Sequence, residues 1–123
     1  MRAVLSVTLC FIVGACATFG GGQPDPYGIY DIVTVNGEPL PAMQVISGWC
    51  ELRSDGTDWC SMTVEGLAEP IEGSSPHTLG EFEDGCFPYE STDEEGTLWV
   101  GAICGEVLTA TGGGITVALH KRR

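Results

Sequence analysis

The side chains able to do chemistry in this 123-residue chain are six cysteines, two histidines and several short acidic runs. Beyond Cys10 and Cys16 stand Cys50, Cys60, Cys86 and Cys104. Thiolates can hold zinc, but no pair here has the C-x₂₋₄-C spacing that structural zinc sites use. In an oxidising compartment four cysteines make two disulfides, with three connectivities open. Spacing discriminates among them. Cys50 and Cys60 lie symmetrically about Asp55, and Cys86 and Cys104 symmetrically about Glu95. If the turns at Asp55-Gly56 and at Asp93-Glu94-Glu95-Gly96 each close a hairpin, the members of each pair face one another across neighbouring strands. The expected bridges are therefore Cys50–Cys60 and Cys86–Cys104, each closing a short loop and contributing about 2–3 kcal/mol.

The remaining candidates are weaker. His77 follows Ser74-Ser75-Pro76 and could form half of a Ser/His pair, but no G-x-S-x-G elbow or glycine-rich oxyanion loop accompanies it. The expectation is that these are exposed loop residues. His120 falls on the outer face of the last expected strand. Glu81, Glu83 and Asp84, and again Glu90, Asp93, Glu94 and Glu95, offer the oxygens that Ca²⁺ requires. Neither group follows an EF-hand or nonapeptide pattern, so solvated loop charge is expected. The carboxylates are too scattered to single out a glycosidase pair. No catalytic residue, metal site or cofactor site is expected, and turnover of a hydrolase substrate that is lost on changing His77 would reverse that reading.

The elements that position these residues read as strands. No stretch beyond the N-terminus keeps a helical period over ten residues, whereas short β-rich runs recur between turn signals. The runs are Tyr27 to Val35, Met43 to Arg53, Thr57 to Glu65, Cys86 to Ser91, Thr97 to Ile103, Glu106 to Thr111 and Ile115 to Lys121. Asp55-Gly56 is a strong hairpin signal. Residues 66–76, with Gly66, Pro70, Gly73 and Pro76, read as loop, and a weak strand near Thr78 to Glu83 avoids a structureless stretch of unusual length. Asp55-Gly56-Thr57-Asp58-Trp59 and Glu95-Gly96-Thr97-Leu98-Trp99 echo one another as one turn used twice. Ile115, Val117 and Leu119 alternate with Thr116, Ala118 and His120, giving the last strand one buried face. The expected fold class is all-β, a small antiparallel barrel of seven or eight strands.

Trp49, Trp59 and Trp99, with Tyr30, Phe87 and Tyr89, are read mainly as core packing and shielding of the bridges. Trp49 and Trp59 adjoin Cys50 and Cys60 and so point to the opposite face of their hairpin. One of those faces carries its bulk outward or into a second layer, the single hint of a recognition surface. Small closed barrels are either filled by side chains or hold one small apolar ligand.

Charge limits the partners. Seventeen Asp and Glu stand against five Lys and Arg, a formal net charge of −12. Beyond Arg2 the bases are only Arg53, Lys121, Arg122 and Arg123. Such a surface repels phosphate backbones, so nucleic acid is excluded as an expected partner.

The N-terminus gives the address. Arg2 precedes the apolar run Ala3 to Val13, whose length suits a signal h-region and falls short of a bilayer span. Val13-Gly14-Ala15-Cys16 directly behind it resembles the lipobox of bacterial lipoproteins. That resemblance implies a diacylglyceryl group on Cys16 and cleavage before it. Ala15-Cys16-Ala17 is also an A-x-A pattern, so ordinary secretion as a soluble β domain is the alternative. Ala17 after the cysteine implies sorting to the outer membrane rather than retention at the inner one. Residues 1–15 are then a signal peptide, 16–26 the lipidated cysteine and a Gly- and Pro-rich flexible tether, and 27–123 a single domain.

Tyr30-Asp31-Ile32-Val33-Thr34-Val35-Asn36-Gly37-Glu38-Pro39-Leu40-Pro41 and Leu52-Arg53-Ser54-Asp55-Gly56-Thr57 resemble the opening strand and following hairpin of small lipocalin-like bacterial lipoproteins. The basic end after Val117 fits the same pattern, while the four cysteines and residues 66–85 depart from it. The resemblance implies a lipocalin-like barrel and says little about activity. Taken together, the expectations are a non-catalytic cell-envelope lipoprotein, held to the membrane by its lipid, that binds a protein partner or small apolar ligand or scaffolds the surface. The alternative from another class is a proteinaceous inhibitor of an exported hydrolase, reaching an active site with its arm 17–26.

Overall fold

A computed structural model describes residues 23–123, and Cys16 with its surrounding segment lies outside them. The described residues form β1 (Gly28–Val35), β2 (Glu38–Pro39), β3 (Val45–Leu52), β4 (Thr57–Val64), β5 (Ile71–Leu79), β6 (Cys86–Thr92), β7 (Leu98–Cys104), β8 (Val107–Gly112) and β9 (Ile115–Lys121). Every pairing is antiparallel. Leaving out the two-residue β2, which hangs on β1, the strands follow one another around the sheet and β9 returns to β1. The result is a closed eight-stranded antiparallel barrel with one extra short strand, of the small lipocalin-like kind.

Turn chemistry sets the registers. Arg53 N–H donates to Thr57 O and Gly56 N–H to Arg53 O; Asp93 N–H donates to Thr97 O and Gly96 N–H to Asp93 O. Both are three-residue hairpin loops ending in a left-handed glycine, with φ of 92° at Gly56 and 88° at Gly96. The echo between the two segments is thus one turn geometry used twice. Each turn fixes a cysteine pair in direct register, Cys50 opposite Cys60 and Cys86 opposite Cys104. Both disulfides form, with Cα–Cα separations of 4.0 and 4.2 Å.

Alternation along the strands then decides what fills the barrel. Tyr30, Leu52, Phe87, Tyr89, Ile103, Leu108, Ala110 and Leu119 make the buried cluster, with Tyr30 fully enclosed. Ile32, Cys50, Trp99 and Val117 pack against it. Cys50 lies opposite Tyr30, so the Cys50–Cys60 bridge faces inward. Cys86 and Cys104 neighbour the inward Phe87 and Ile103, so their bridge faces out. Trp49 and Trp59 accordingly lie on the outer face, where they flank Ser61. At Gly101 an added Cβ would fall 1.7 Å from Thr109 O. Only glycine permits that approach of β7 to β8.

One segment differs from expectation. Residues 66–76 are not all loop, and the strand is not Thr78 to Glu83 but Ile71–Leu79. Its central inward positions carry Gly73, Ser75 and His77, which face Cys60, Asp58 and Ser91 in the neighbouring ladders, and an apolar residue of that parity meets the core only at its end, Leu79. With no large apolar residue at these positions the strand has no hydrophobic period. Pro76 is tolerated because its missing N–H is on the side away from β4.

The two bridges differ in surroundings, which separates their energetics. Loop entropy assigns each about 3 kcal/mol, and only Cys50–Cys60 adds core packing. Urea unfolding should show Cys50→Ala/Cys60→Ala losing more stability than Cys86→Ala/Cys104→Ala, by about 1 kcal/mol or more from the cavity left beside Tyr30. Equal losses would mean that the inner bridge contributes no packing.

Candidate functional site

Four polar side chains are brought together inside the barrel: Asp58 from β4, His77 from β5, and Tyr89 and Ser91 from β6. All four residues are buried. Asp58 shares the inner face with Cys60 two residues on, and the same alternation turns Tyr89 and Ser91 inward with Phe87. His77 Nδ1 stands 2.6 Å from Asp58 Oδ1. The Tyr89 hydroxyl donates to the other oxygen, Asp58 Oδ2. Ser91 Oγ donates to Pro76 O at 2.8 Å. The His77 ring stacks on Tyr89 with centroids 6.2 Å apart, and the Tyr27 ring lies tilted to it at 6.5 Å.

Burial governs the electrostatics. It raises the Asp58 carboxyl above the ordinary aspartate range, and the Tyr89 hydrogen bond and His77 only partly offset it. The Tyr89 phenol is raised too, first by burial and then by the Asp58 charge beside it. Tyr30, whose hydroxyl donates to Pro26 O at 2.6 Å, is pushed up to about 12 by burial and by Asp25 and Glu106.

An Asp–His pair beside a serine invites comparison with a nucleophile–base–acid triad. The geometry does not fit one. Ser91 gives its proton to a main-chain carbonyl, and the His77 and Asp58 side chains are only 3% and 4% exposed. A shallow groove of about 210 Å³, lined by Pro76, His77, Thr78, Glu90, Ser91, Thr92 and Leu98, reaches the cluster only at its His77 and Ser91 edge. That is below the usual volume of a small-molecule pocket, about 300–1,000 Å³. What the four groups accomplish is cross-linking of β4, β5 and β6.

The candidates from the sequence are dispersed. His77 is not an exposed loop residue: it is a buried strand residue, its Nδ1 set 2.6 Å from Asp58 Oδ1 in an arrangement that is close but poorly aligned for a hydrogen bond, with Tyr27 and Tyr89 beside the ring. Ser74 and Ser75 lie on β5 beside it, and Ser74 N–H reaches Glu94 Oε2 at 3.4 Å. His120 is exposed on the outer face of β9. Glu81, Glu83 and Asp84 occupy the connection before β6, Glu90 the outside of β6, and Asp93, Glu94 and Glu95 the turn after it. Among the described residues no three His, Cys, Asp or Glu converge on a metal position. Asp93 organises its own turn, accepting Glu95 N–H, Thr97 N–H and Trp99 Nε1–H, and these bonds hold its carboxyl below the usual range. The partnership of Asp58 with His77 is what sequence reasoning missed. Asp58 was findable by parity with Cys60; His77 had no periodic neighbour to place it.

Two measurements test these buried groups, one at the cluster and one at Tyr30. His77→Leu leaves the Asp58 carboxylate buried with one partner removed and should cost about 3–5 kcal/mol in urea unfolding. A tyrosine whose folded pKa lies above its unfolded value binds its proton more tightly in the native state. The contribution of Tyr30 to stability is therefore complete below pH 10 and lost as pH rises towards about 12. Tyr30→Phe should flatten that alkaline fall, and an unchanged pH profile would contradict it.

No family model, curated protein or solved structure matches this chain.

Proposed function

We propose that this chain is a non-catalytic, lipid-anchored lipoprotein of the cell envelope, similar to the small lipocalin-like bacterial lipoproteins, whose barrel binds a protein partner. The observation that carries the reading is the polarity of the barrel. Asp25 O accepts from Lys121 Nζ, and the buried Pro26 gives its carbonyl to Tyr30, so the chain enters the barrel at a fixed end. Arg53, Lys121, Arg122 and Arg123 gather at that same end. There Arg53, Arg122 and Arg123 pair with Glu51, Asp31 and Glu106. A lipid on Cys16 would hold this end towards the membrane and present the opposite end outward. Side chains of the buried cluster occupy the centre of the barrel, which favours recognition on its outside over uptake of a small apolar ligand. The sealed Asp58–His77 pair supports a binding role over a catalytic one. Ala17 favours the outer membrane as the site of anchoring.

The anchor decides the reading. Each buried methylene contributes about 0.8 kcal/mol, and two or more chains give stable attachment where one does not. Labelled fatty acid should enter the wild type and not Cys16→Ser, and the wild type should fractionate with membrane. A soluble wild-type protein beginning at Thr18 would make it a secreted domain instead.

A further inference from the structure

We infer that the free edge of β5 at Ile71–Ser75 is a docking site for an extended, cationic, amphipathic segment of a partner protein. This deepens the partner-binding reading above by giving the partner its chemistry.

The edge follows from the ladders. His77 N–H donates to Gly56 O at 2.9 Å, so the alternate residues Ser75, Gly73 and Ile71 direct their peptide groups at β4. Glu72, Ser74 and Pro76 direct theirs the other way. On that side β6 pairs only with His77, Thr78 and Leu79. Along Glu72–Pro76 no strand is present among the described residues. Ser91 Oγ takes the Pro76 carbonyl, and Glu94 reaches across from the β6–β7 turn to the Ser74 N–H at a long 3.4 Å. A strand edge of this kind is a template for an added strand.

Apolar surface adjoins it. Leu67 and Ile71 are 52% and 50% exposed, and Met43 and Ile46 are 58% and 48% exposed. Glu65 N–H donates to Gln44 O, and Ile71 lies opposite Met62, so these residues share one rim of the barrel. That rim is at the end opposite the four bases.

Charge selects the occupant. Glu65, Glu69, Glu72 and Glu94 surround the edge, with no ion-pair partner among the described residues. Edges are commonly protected by lysine; here every flanking charge is negative. A second copy would bring the same carboxylates against these and be repelled. A strand with apolar residues on one face and Lys or Arg on the other meets the apolar rim, the carboxylates and the open main chain together.

The test uses the full-length protein and three synthetic octapeptides: alternating Val-Lys, alternating Val-Glu, and Val-Lys with prolines at alternate positions to remove its ladder N–H groups. The Val-Lys peptide should bind, weaken about tenfold or more from low to high salt, and slow hydrogen exchange at the Glu72 amide, the edge donor that no side chain takes. Glu69→Lys/Glu72→Lys should shift the preference to Val-Glu. Equal binding of the proline peptide, equal binding of Val-Glu to the wild type, or an unprotected Glu72 amide would overturn the proposal. So would self-association through this edge, or binding to phosphatidylglycerol vesicles that Ile71→Glu abolishes. Repeating the measurement on Cys16→Ser separates the two readings, because the edge binds peptide whether or not the anchor is lipid.

Discussion

The Asp58 carboxylate holds together the part of the barrel where the backbone contributes least. Between β5 and β6 the ladder has three residue pairs, whereas β6 and β7 share seven. Side chains bridge that seam. Asp58 on β4 meets His77 on β5 and Tyr89 on β6, and Ser91 ties β6 to the carbonyl of Pro76. Each bond alone contributes about 1 kcal/mol net, more where a charge is involved. Leaving any member without its partner in this buried place costs more than the bond gains. The seam therefore depends on completeness of the cluster, and Tyr27 completes it by shielding the imidazole. The same residues that look reactive in isolation are the ones that close the wall.

The barrel is also divided along its axis. At one end the chain enters, the bases collect, and Asp25, Pro26 and Lys121 are bonded to one another or to the wall. At the other end acidic and apolar side chains mix, and no base is present among the described residues. Because the interior is occupied by Tyr30, Phe87, Tyr89 and their neighbours, differences between the ends are expressed on rims and outer faces. The outward Trp49 and Trp59 belong to that outer surface and partly cover Ser61, which is itself buried.

Most strands were legible because turn residues and alternation agreed. Asp55-Gly56 and the Glu95-Gly96 turn placed two hairpins and, through them, both disulfides. The parity of Trp49 and Trp59 against Cys50 and Cys60 placed the tryptophans on the opposite face from the bridge. Which face was inside was not legible, since it rests on Tyr30 lying opposite Cys50, a pairing between distant segments. β5 was the failure. A strand is recognised by apolar residues at every second position, and β5 fills those positions with Gly73, Ser75 and His77. They fit there because the neighbouring wall supplies a disulfide and a carboxylate. The polar cluster and the missed strand have a common cause.

Both covalent links lie within hairpins, one in β3–β4 and one in β6–β7; neither crosses a seam. Each bridge thus staples one hairpin and leaves the other seams of the ring without a covalent link. Closing the ring requires β9 to find β1, where Asn36 and Thr116, 80 residues apart, bond to each other. Contacts of such separation slow folding, because the entropy of the long loop must be lost before they contribute. The covalent links of this protein are therefore local, and closure of its ring is left to the non-covalent contacts that join its most distant strands.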